Sequence, residues 1–348
     1  MRHVLVLMAA TLLAACASSG APRMADIDVL LQRYDGAVPG ASLLVVKDGR
    51  ALVRRSFGMA DLEHGVAATP ATNYRLASVT KQFTAAAILL LAEDGKLALD
   101  DRVRRWLPSL PPTSDAITLR HLLTHTGGLV DYEDLMPTDL AVPLRDADVL
   151  HLLEREDRLY FAPGTQWRYS NGGYALLALV VERASGTSFP DFLRTRIFGP
   201  LGMHATLAYT VEGPPVPHRA FGYSEQGGRW TRTDQSLTSS VLGDGGIYSS
   251  IDDLARWDAA LYDDRLLSDA SRALAFAPAV ASDDPAVAYG YGWRITGDTL
   301  WHSGETIGFR NVIVRWPRRH FTVILLTNRD DPEPYATVLA IGELFGGN

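Results

Sequence analysis

Leu76-Ala-Ser-Val-Thr-Lys-Gln-Phe-Thr-Ala-Ala-Ala-Ile-Leu-Leu-Leu-Ala-Glu93 is the stretch from which the rest of the chain is read. Alanine and leucine dominate it, neither glycine nor proline interrupts it, and Asp94-Gly95 stops it, so a helix is expected over about 79–93. The patterns on its two sides differ. Before it, Ala41-Ser-Leu-Leu-Val-Val-Lys47, an Asp48-Gly49 turn and Ala51 to Gly58 read as a hairpin. An amphipathic helix precedes that hairpin, with Ile27, Leu30, Leu31 and Tyr34 at helical spacing and Gly36 as its end. After about residue 280, Tyr289 to Ile295, Thr299 to His302, Arg310 to Trp316 and Phe321 to Thr327 read as short strands, and Tyr335 to Phe345 as a closing helix. Between lie helices and loops, clearest at Ile117 to Leu123, Ala147 to Arg155, Gly173 to Ala184 and Phe189 to Ile197. The expectation is an α+β fold: an antiparallel sheet built from both chain ends, flanked by terminal helices, carrying a large mostly helical insertion. In residue terms the α/β part covers about 26–77 and 281–348, and the helical part about 78–280.

Composition narrows the function classes. The chain has 348 residues, 47% hydrophobic and 21% charged, which is globular rather than disordered. Its formal net charge of −7 argues against nucleic acid as a partner, because neutralising phosphates needs a basic face. One cysteine excludes an internal disulfide framework and a thiolate metal cage. Lysine is scarce: Lys47, Lys81 and Lys96 stand against thirty arginines, so each surviving lysine invites a reason. Lys47 and Lys96 sit beside turns, which is reason enough.

The first residues read as an address. Met1-Arg2-His3 is a short positive region, and Val4 to Ala15 is an apolar run too short to span a bilayer, which takes about 20 residues. Leu13-Ala14-Ala15-Cys16 resembles the bacterial lipoprotein processing site, which implies a signal peptide over 1–15, lipidation of Cys16, and a tether over 16–25 ahead of a domain at 26–348. A plain secretory signal would instead remove Cys16 with the peptide. Ala17 after the cysteine implies an anchor on the periplasmic face of the outer membrane in the bacterial envelope. The longest later apolar stretch, Ala85 to Ala92, is far below spanning length, so membrane association is expected through the lipid alone.

Three short motifs carry chemistry. In Ser78-Val-Thr-Lys81, residues three apart share a helix face, so a hydroxyl and an ammonium group can point into one cleft. A serine needs a base to become a nucleophile, and a buried lysine can serve where an arginine cannot. On spacing alone, a helix-capping serine with a surface lysine also accounts for the tetrapeptide. Tyr169-Ser170-Asn171 offers a proton-shuttling phenol and an amide able to hold both a substrate carbonyl and a lysine. Taken alone it reads equally as a turn. His302-Ser303-Gly304 ends a short strand, where glycine admits a substrate backbone and a strand edge can pair with an extended acyl group. His121 and His125 are four apart, but the zinc-protease glutamate is replaced by Leu122, and no metal is expected. Gly243-Asp-Gly-Gly246 has no following lysine and reads as a turn in the cleft wall rather than a phosphate loop. A G-x-S-x-G elbow is absent.

In their order, the three motifs resemble the serine β-lactamase and penicillin-binding-protein superfamily, in its class C-like branch, which also holds D-amino-acid peptidases and family VIII carboxylesterases. Wider phrases extend the resemblance: Pro39-Gly-Ala41, Leu122-Leu-Thr-His-Thr-Gly-Gly-Leu129, Tyr169-Ser-Asn-Gly-Gly-Tyr174 and Pro200-Leu-Gly-Met203. It implies Ser78 as the acylated nucleophile, Lys81 as its base partner and Tyr169 as the proton-transfer tyrosine. It further implies Asn171, His302, Ser303 and Gly304 as substrate contacts, an oxyanion hole from the backbone N–H groups of Ser78 and Glu305, and no cofactor. The expected substrate is a small or peptidoglycan-derived acyl compound, presenting an ester, D-amino-acid amide or β-lactam carbonyl. Many β-lactamases carry Lys-Thr-Gly at the third motif, where the lysine attracts a carboxylate; the histidine here leaves Arg310 as a candidate substitute. The alternative is a lipoprotein that binds β-lactams or peptidoglycan fragments with little or no turnover. The loops Val130 to Arg145 and Val211 to Ser236 are expected to wall the cleft.

Cys16→Ala is expected to abolish membrane retention in cell fractionation while leaving acyl-enzyme formation intact; loss of the chemistry would join what this reading separates.

Overall fold

The structure, a computed structural model, describes residues 21–346; Cys16 and the expected signal segment lie outside the described residues. An eight-stranded antiparallel sheet organises it. The strands are β1 (Ala41–Lys47), β2 (Arg50–Phe57), β3 (Val280–Ala281), β4 (Ala288–Tyr289), β5 (Arg294–Thr296), β6 (Thr299–Thr306), β7 (Phe309–Trp316) and β8 (Phe321–Thr327). Their order is β3-β4-β5-β6-β7-β8-β1-β2, so the hairpin from one chain end docks on the last strand of the other. Leu44 faces Ile324 across the β1–β8 seam, and Gly304 faces Asn311 across β6–β7.

Strand periodicity divides the core in two. Leu44, Ile313, Ile324 and Leu326 face the helical part of the molecule. Leu43, Val45, Val312, Val314, Val323 and Leu325 face away and pack on Ile27 and Leu31 of α1 (Ala21–Leu31) and on Val338 and Ile341 of the C-terminal helix Tyr335–Leu344. Covering both faces explains why Leu43–Val46 of β1, Val312–Val314 of β7 and Val323–Leu326 of β8 read as continuous apolar runs rather than alternating ones. The helix α2 (Lys81–Glu93) is buried from Lys81 through Leu91 and forms the centre of the larger core. Each fully buried leucine or isoleucine there contributes roughly 1.5–3 kcal/mol.

Three expectations are corrected. Tyr289 to Ile295 is two short strands, β4 and β5, rather than one, because Gly290 and Gly292 turn the chain between them. A Cβ at Gly292 would lie 2.6 Å from the Lys81 carbonyl oxygen, so only glycine lets this turn rest on the start of α2. The mostly helical region also holds the strands Leu207–Ala208 and Ile247–Ser249, which join Tyr74–Arg75 in a small sheet, and a hairpin of Tyr223–Gln226 and Arg229–Arg232. Strands of two to four residues are too short to show a period. Finally, β6 runs on to Thr306, placing His302-Ser303-Gly304 mid-strand. β5 pairs only with Thr299 to Trp301, so from His302 onward the outer edge of β6 is free of a strand neighbour.

One buried ion pair ties the helical part to the sheet. Arg315 of β7 is fully buried, and its Nε donates to Asp258 Oδ1 at 2.6 Å on the helix Ile251–Ala260. The Thr322 hydroxyl of β8 donates to the same oxygen at 2.8 Å. Removing one partner strands the other charge. Asp258→Ala is expected to lower unfolding stability by about 3–5 kcal/mol in denaturant titration; a loss below 1 kcal/mol would show that the pair is dispensable.

Candidate active site

The Ser78-Val-Thr-Lys81 segment turns before it becomes a helix. Ala77–Thr80 forms a 3-10 turn and α-helical bonding starts at Lys81, two residues later than expected. Ala77 adopts φ +49, a left-handed conformation that costs an L-residue about 1–2 kcal/mol. Surrounding backbone holds it: a Cβ at Gly304 would lie 2.0 Å from the Leu76 carbonyl oxygen and 3.2 Å from the Val79 nitrogen. The unpaired edge of β6 is thus pressed against the turn that carries Ser78, and only glycine permits that approach.

Ser78 is part-exposed and Lys81 is fully buried beneath it. The Lys81 ammonium donates to Ser78 Oγ at 3.1 Å, to Asn171 Oδ1 at 2.8 Å and to the Asp244 carbonyl at 2.9 Å. Those three oxygens use all three donors of the ammonium group, and none is a carboxylate. The Tyr169 and Tyr174 rings lie 4.9 and 5.5 Å from Nζ, measured to their centroids.

Asn171 is the first residue of a helix ending at Ser185, capped by Ser170, whose Oγ accepts the Gly173 N–H at 3.1 Å. Capping fixes the direction of Asn171 toward Lys81. Its other amide atom, Nδ2, donates to Glu133 Oε1 at 3.0 Å. Glu133 is exposed, so a carboxylate stands at the cleft beside Asn171. Two residues away the Asp131 carboxyl is pushed up to about 6, by burial first and then by the charge of Glu133.

The Gly243-Asp-Gly-Gly246 turn does more than wall the cleft, since it supplies the Asp244 carbonyl to Lys81. Asp146 holds that turn by accepting the Leu242 and Gly243 N–H groups at 2.9 and 3.0 Å. The Tyr132 hydroxyl donates to Asp244 Oδ2 at 3.3 Å. Burial pushes the Asp146 and Asp244 carboxyls up to about 7.

Of the remaining expected residues, His302 is buried rather than open to the cleft. Its Nδ1–H donates to the Ser303 carbonyl at 2.6 Å, and Nε2 accepts the Tyr289 hydroxyl at 3.0 Å. Burial, then the charge of Arg294, holds it well below the ordinary imidazole range, so it is neutral and offers no anion anchor. Arg310 is committed locally. Its Nη1 donates to the Thr306 and Phe309 carbonyls at 2.8 and 2.9 Å, and its Nε lies 3.8 Å from Glu305 Oε2. Gly304 meets the Ser78 turn as described; Ser303 is part-exposed and Glu305 exposed. His121 and His125 do not share a helix face, because the helix Leu119–Leu123 ends before His125, which adopts φ +60.

Glu133, the Asp244 carbonyl, Tyr289 and Arg294 were not singled out from sequence. The Arg294 guanidinium lies 5.6 Å from the centroid of the Tyr169 ring. The acidic run Asp131-Tyr-Glu-Asp134 in an expected cleft loop was the available signal for Glu133; a main-chain carbonyl gives none. A cavity of about 910 Å3 between Val142–Asp148, Ser188–Asp191 and Tyr209–Glu212 contains none of the motif residues, so chemistry rather than size locates the site.

The family model described as beta-lactamase matches residues 21–346. A penicillin-binding protein of Bacillus subtilis (strain 168) is 34% identical, over 88% of this chain and 72% of its own length. The octameric penicillin-binding protein homologue from Pyrococcus abyssi superposes with a TM-score of 0.82 at 27% identity, covering 93% of this chain and 77% of that one. D-amino acid amidase from Ochrobactrum anthropi SV3 superposes at 0.79 and 25% identity, covering 93% and 97%.

The buried carboxyls make stability depend on pH. Folded, Asp244 keeps its proton to about pH 7; unfolded, it releases it near 3.8. Between those values unfolding releases a proton, so raising pH favours the unfolded chain. The thermal midpoint of the wild type is therefore expected to fall relative to that of Asp244→Asn between pH 5 and pH 8. A difference independent of pH would contradict a neutral buried carboxyl.

Proposed function

The chain belongs to the β-lactamase family and is a serine hydrolase; from that premise we propose that Ser78 is its nucleophile, with Lys81 and Tyr169 moving the proton. The observation that carries the reading is the buried Lys81 ammonium bonded to Ser78 Oγ, Asn171 Oδ1 and the Asp244 carbonyl. In its amine form Lys81 accepts the Ser78 proton as Oγ attacks the acyl carbonyl. The oxyanion rests on the backbone N–H groups of Ser78 and Glu305, the first at the start of a helical segment whose partial positive charge adds to the effect. Tyr169, beside Lys81, passes the proton to the departing amine or alkoxide. Water then attacks the acyl-enzyme by the same route in reverse. Asn171 holds the acyl-side carbonyl or amide of the substrate.

Glu133 directs the choice among substrates. Its carboxylate stands beside Asn171, where an acyl group next to the scissile carbonyl would lie, and favours an ammonium there. A neutral buried His302 and an Arg310 tied to its own turn leave penicillins without the usual lysine. We therefore favour D-amino-acid amides and esters over β-lactams. The likeness to a D-amino acid amidase supports this. The Leu13-Ala14-Ala15-Cys16 segment supports a lipid-anchored enzyme on the envelope side of a membrane, acting on peptidoglycan-derived or other small acyl substrates.

One panel tests the reading: nitrocefin, a short nitrophenyl ester and a D-alanine amide, measured on a single preparation. The amide and ester are expected to turn over, and Ser78→Ala to lose at least about a thousandfold. Glu133→Gln is expected to lower kcat/KM for the amide about tenfold more than for the ester, as a charge-assisted hydrogen bond is lost. Acylation of Ser78 without turnover on any of the three would instead identify a binding lipoprotein.

A further inference from the structure

The loop His125-Thr-Gly-Gly128 runs against the segment that carries Tyr169. Tyr160 N–H donates to the Gly128 carbonyl at 2.8 Å, Gly164 N–H to Thr126 at 2.9 Å and Arg168 N–H to His125 at 3.0 Å. At the end of this seam His125 does something its neighbours do not. Its carbonyl takes the N–H of the residue before Tyr169, and its side-chain Nδ1 takes the N–H of the residue after it, Ser170, at 3.1 Å. The imidazole also lies against the face of the Tyr169 ring, with centroids 4.4 Å apart and planes 35° apart. Tyr174 and Tyr289 pack on the same imidazole at 5.1 and 4.5 Å.

The residue type suits the task. Reaching both amides requires the left-handed backbone of φ +60, which histidine enters more readily than most side chains. Accepting from Ser170 requires an unprotonated Nδ1, which places the single imidazole proton on Nε2. Burial, reinforced by the charge of Lys81, holds His125 well below the ordinary imidazole range, so the ring stays neutral. Among the described residues Nε2 has no hydrogen-bond partner, so the Ser170 N–H is the ring's one polar contact. Ser170 in turn caps the helix that begins at Asn171.

We propose that His125 is a positioning residue for the acyl-transfer step, holding the Tyr169 hydroxyl in register with Ser78 and Lys81 by gripping the tyrosine through the amide before it, the amide after it and the face of its ring. This rests on the assignment of proton transfer to Tyr169. His125 makes no hydrogen bond to Ser78; it acts through Tyr169 alone. A residue that works this way shows itself in kcat rather than KM, and its effect disappears once there is no hydroxyl left to position.

The test is a double-mutant cycle on the full chain with a short nitrophenyl ester, using wild type, His125→Phe, Tyr169→Phe and the double variant. Phenylalanine keeps a ring and removes the acceptor. His125→Phe is expected to lower kcat about 10–100-fold with KM within twofold, the usual size of a supporting-shell loss. In the Tyr169→Phe background the same change is expected to lower the residual rate less than about twofold. Equal fold losses in both backgrounds, or a loss carried in KM, would overturn the proposal while leaving Tyr169 in place. A Tyr169→Phe enzyme as fast as wild type would overturn the proton-transfer reading, and this proposal with it. If His125→Phe does not fold, His125→Asn carries the same cycle. Its side chain accepts the left-handed backbone but is too short to stack on Tyr169, so the same loss in kcat and the same non-additivity are expected.

Discussion

One buried charge organises the candidate site. Lys81 is fully enclosed, and an ammonium group taken out of water must find an acceptor for each of its protons or lose its charge. The three acceptors come from three places in the chain: a hydroxyl one turn back, an amide oxygen ninety residues on and a main-chain carbonyl in a glycine-rich turn. Satisfying the charge therefore requires three segments to converge on one point. The glycines follow from that convergence. Gly292 lets a turn rest on the Lys81 carbonyl, Gly304 lets β6 press against the Ser78 turn, and Gly243 sits where a Cβ would lie 2.3 Å from the Tyr174 carbonyl oxygen. A side chain at any of them would push apart the groups that stabilise the lysine.

Around the charge, burial shifts the neighbouring buried carboxyls and imidazoles toward their neutral forms. Burial raises the Asp244 and Asp146 carboxyls toward neutrality and lowers His125 and His302 below it. These buried groups are thus biased toward neutral donors and acceptors, and the proton on Lys81 is the one most directly in contact with Ser78. Shape and protonation are coupled here. Asp146 orients the turn whose carbonyl meets the lysine, and His125 orients the tyrosine whose ring lies over it.

Much of this was legible beforehand. The hairpin over 41–57 and the strands over 309–327 declared themselves by turn chemistry and by the apolar runs Leu43–Val46, Val312–Val314 and Val323–Leu326, because a strand covered on both faces is largely apolar. The Ser78 and Lys81 pair, Tyr169 and Asn171 were found from motif order. The single strand read over Tyr289 to Ile295 failed because its break depends on Gly290 and Gly292 meeting backbone from other parts of the chain. His302 was read as a cleft residue, whereas the register of β6 turns its ring inward to Tyr289. A one-residue difference in register decides which face a side chain takes.

By itself, the sequence determined the elements with strong periods, the candidate nucleophile and its lysine, and the dominance of one sheet assembled from both ends. Those are local properties, set by the spacing of apolar residues and by the chemistry of adjacent side chains. Tertiary structure alone decided which carbonyl completes the lysine's coordination, that Glu133 stands at Asn171, that Arg310 is tied to its own turn and that His125 grips Tyr169. Three of these are contacts across tens of residues, and the fourth, at Arg310, depends on how its turn closes. A main-chain carbonyl or N–H is identical at every position, so no residue name announces which of them will be used until the chain has folded around the charge.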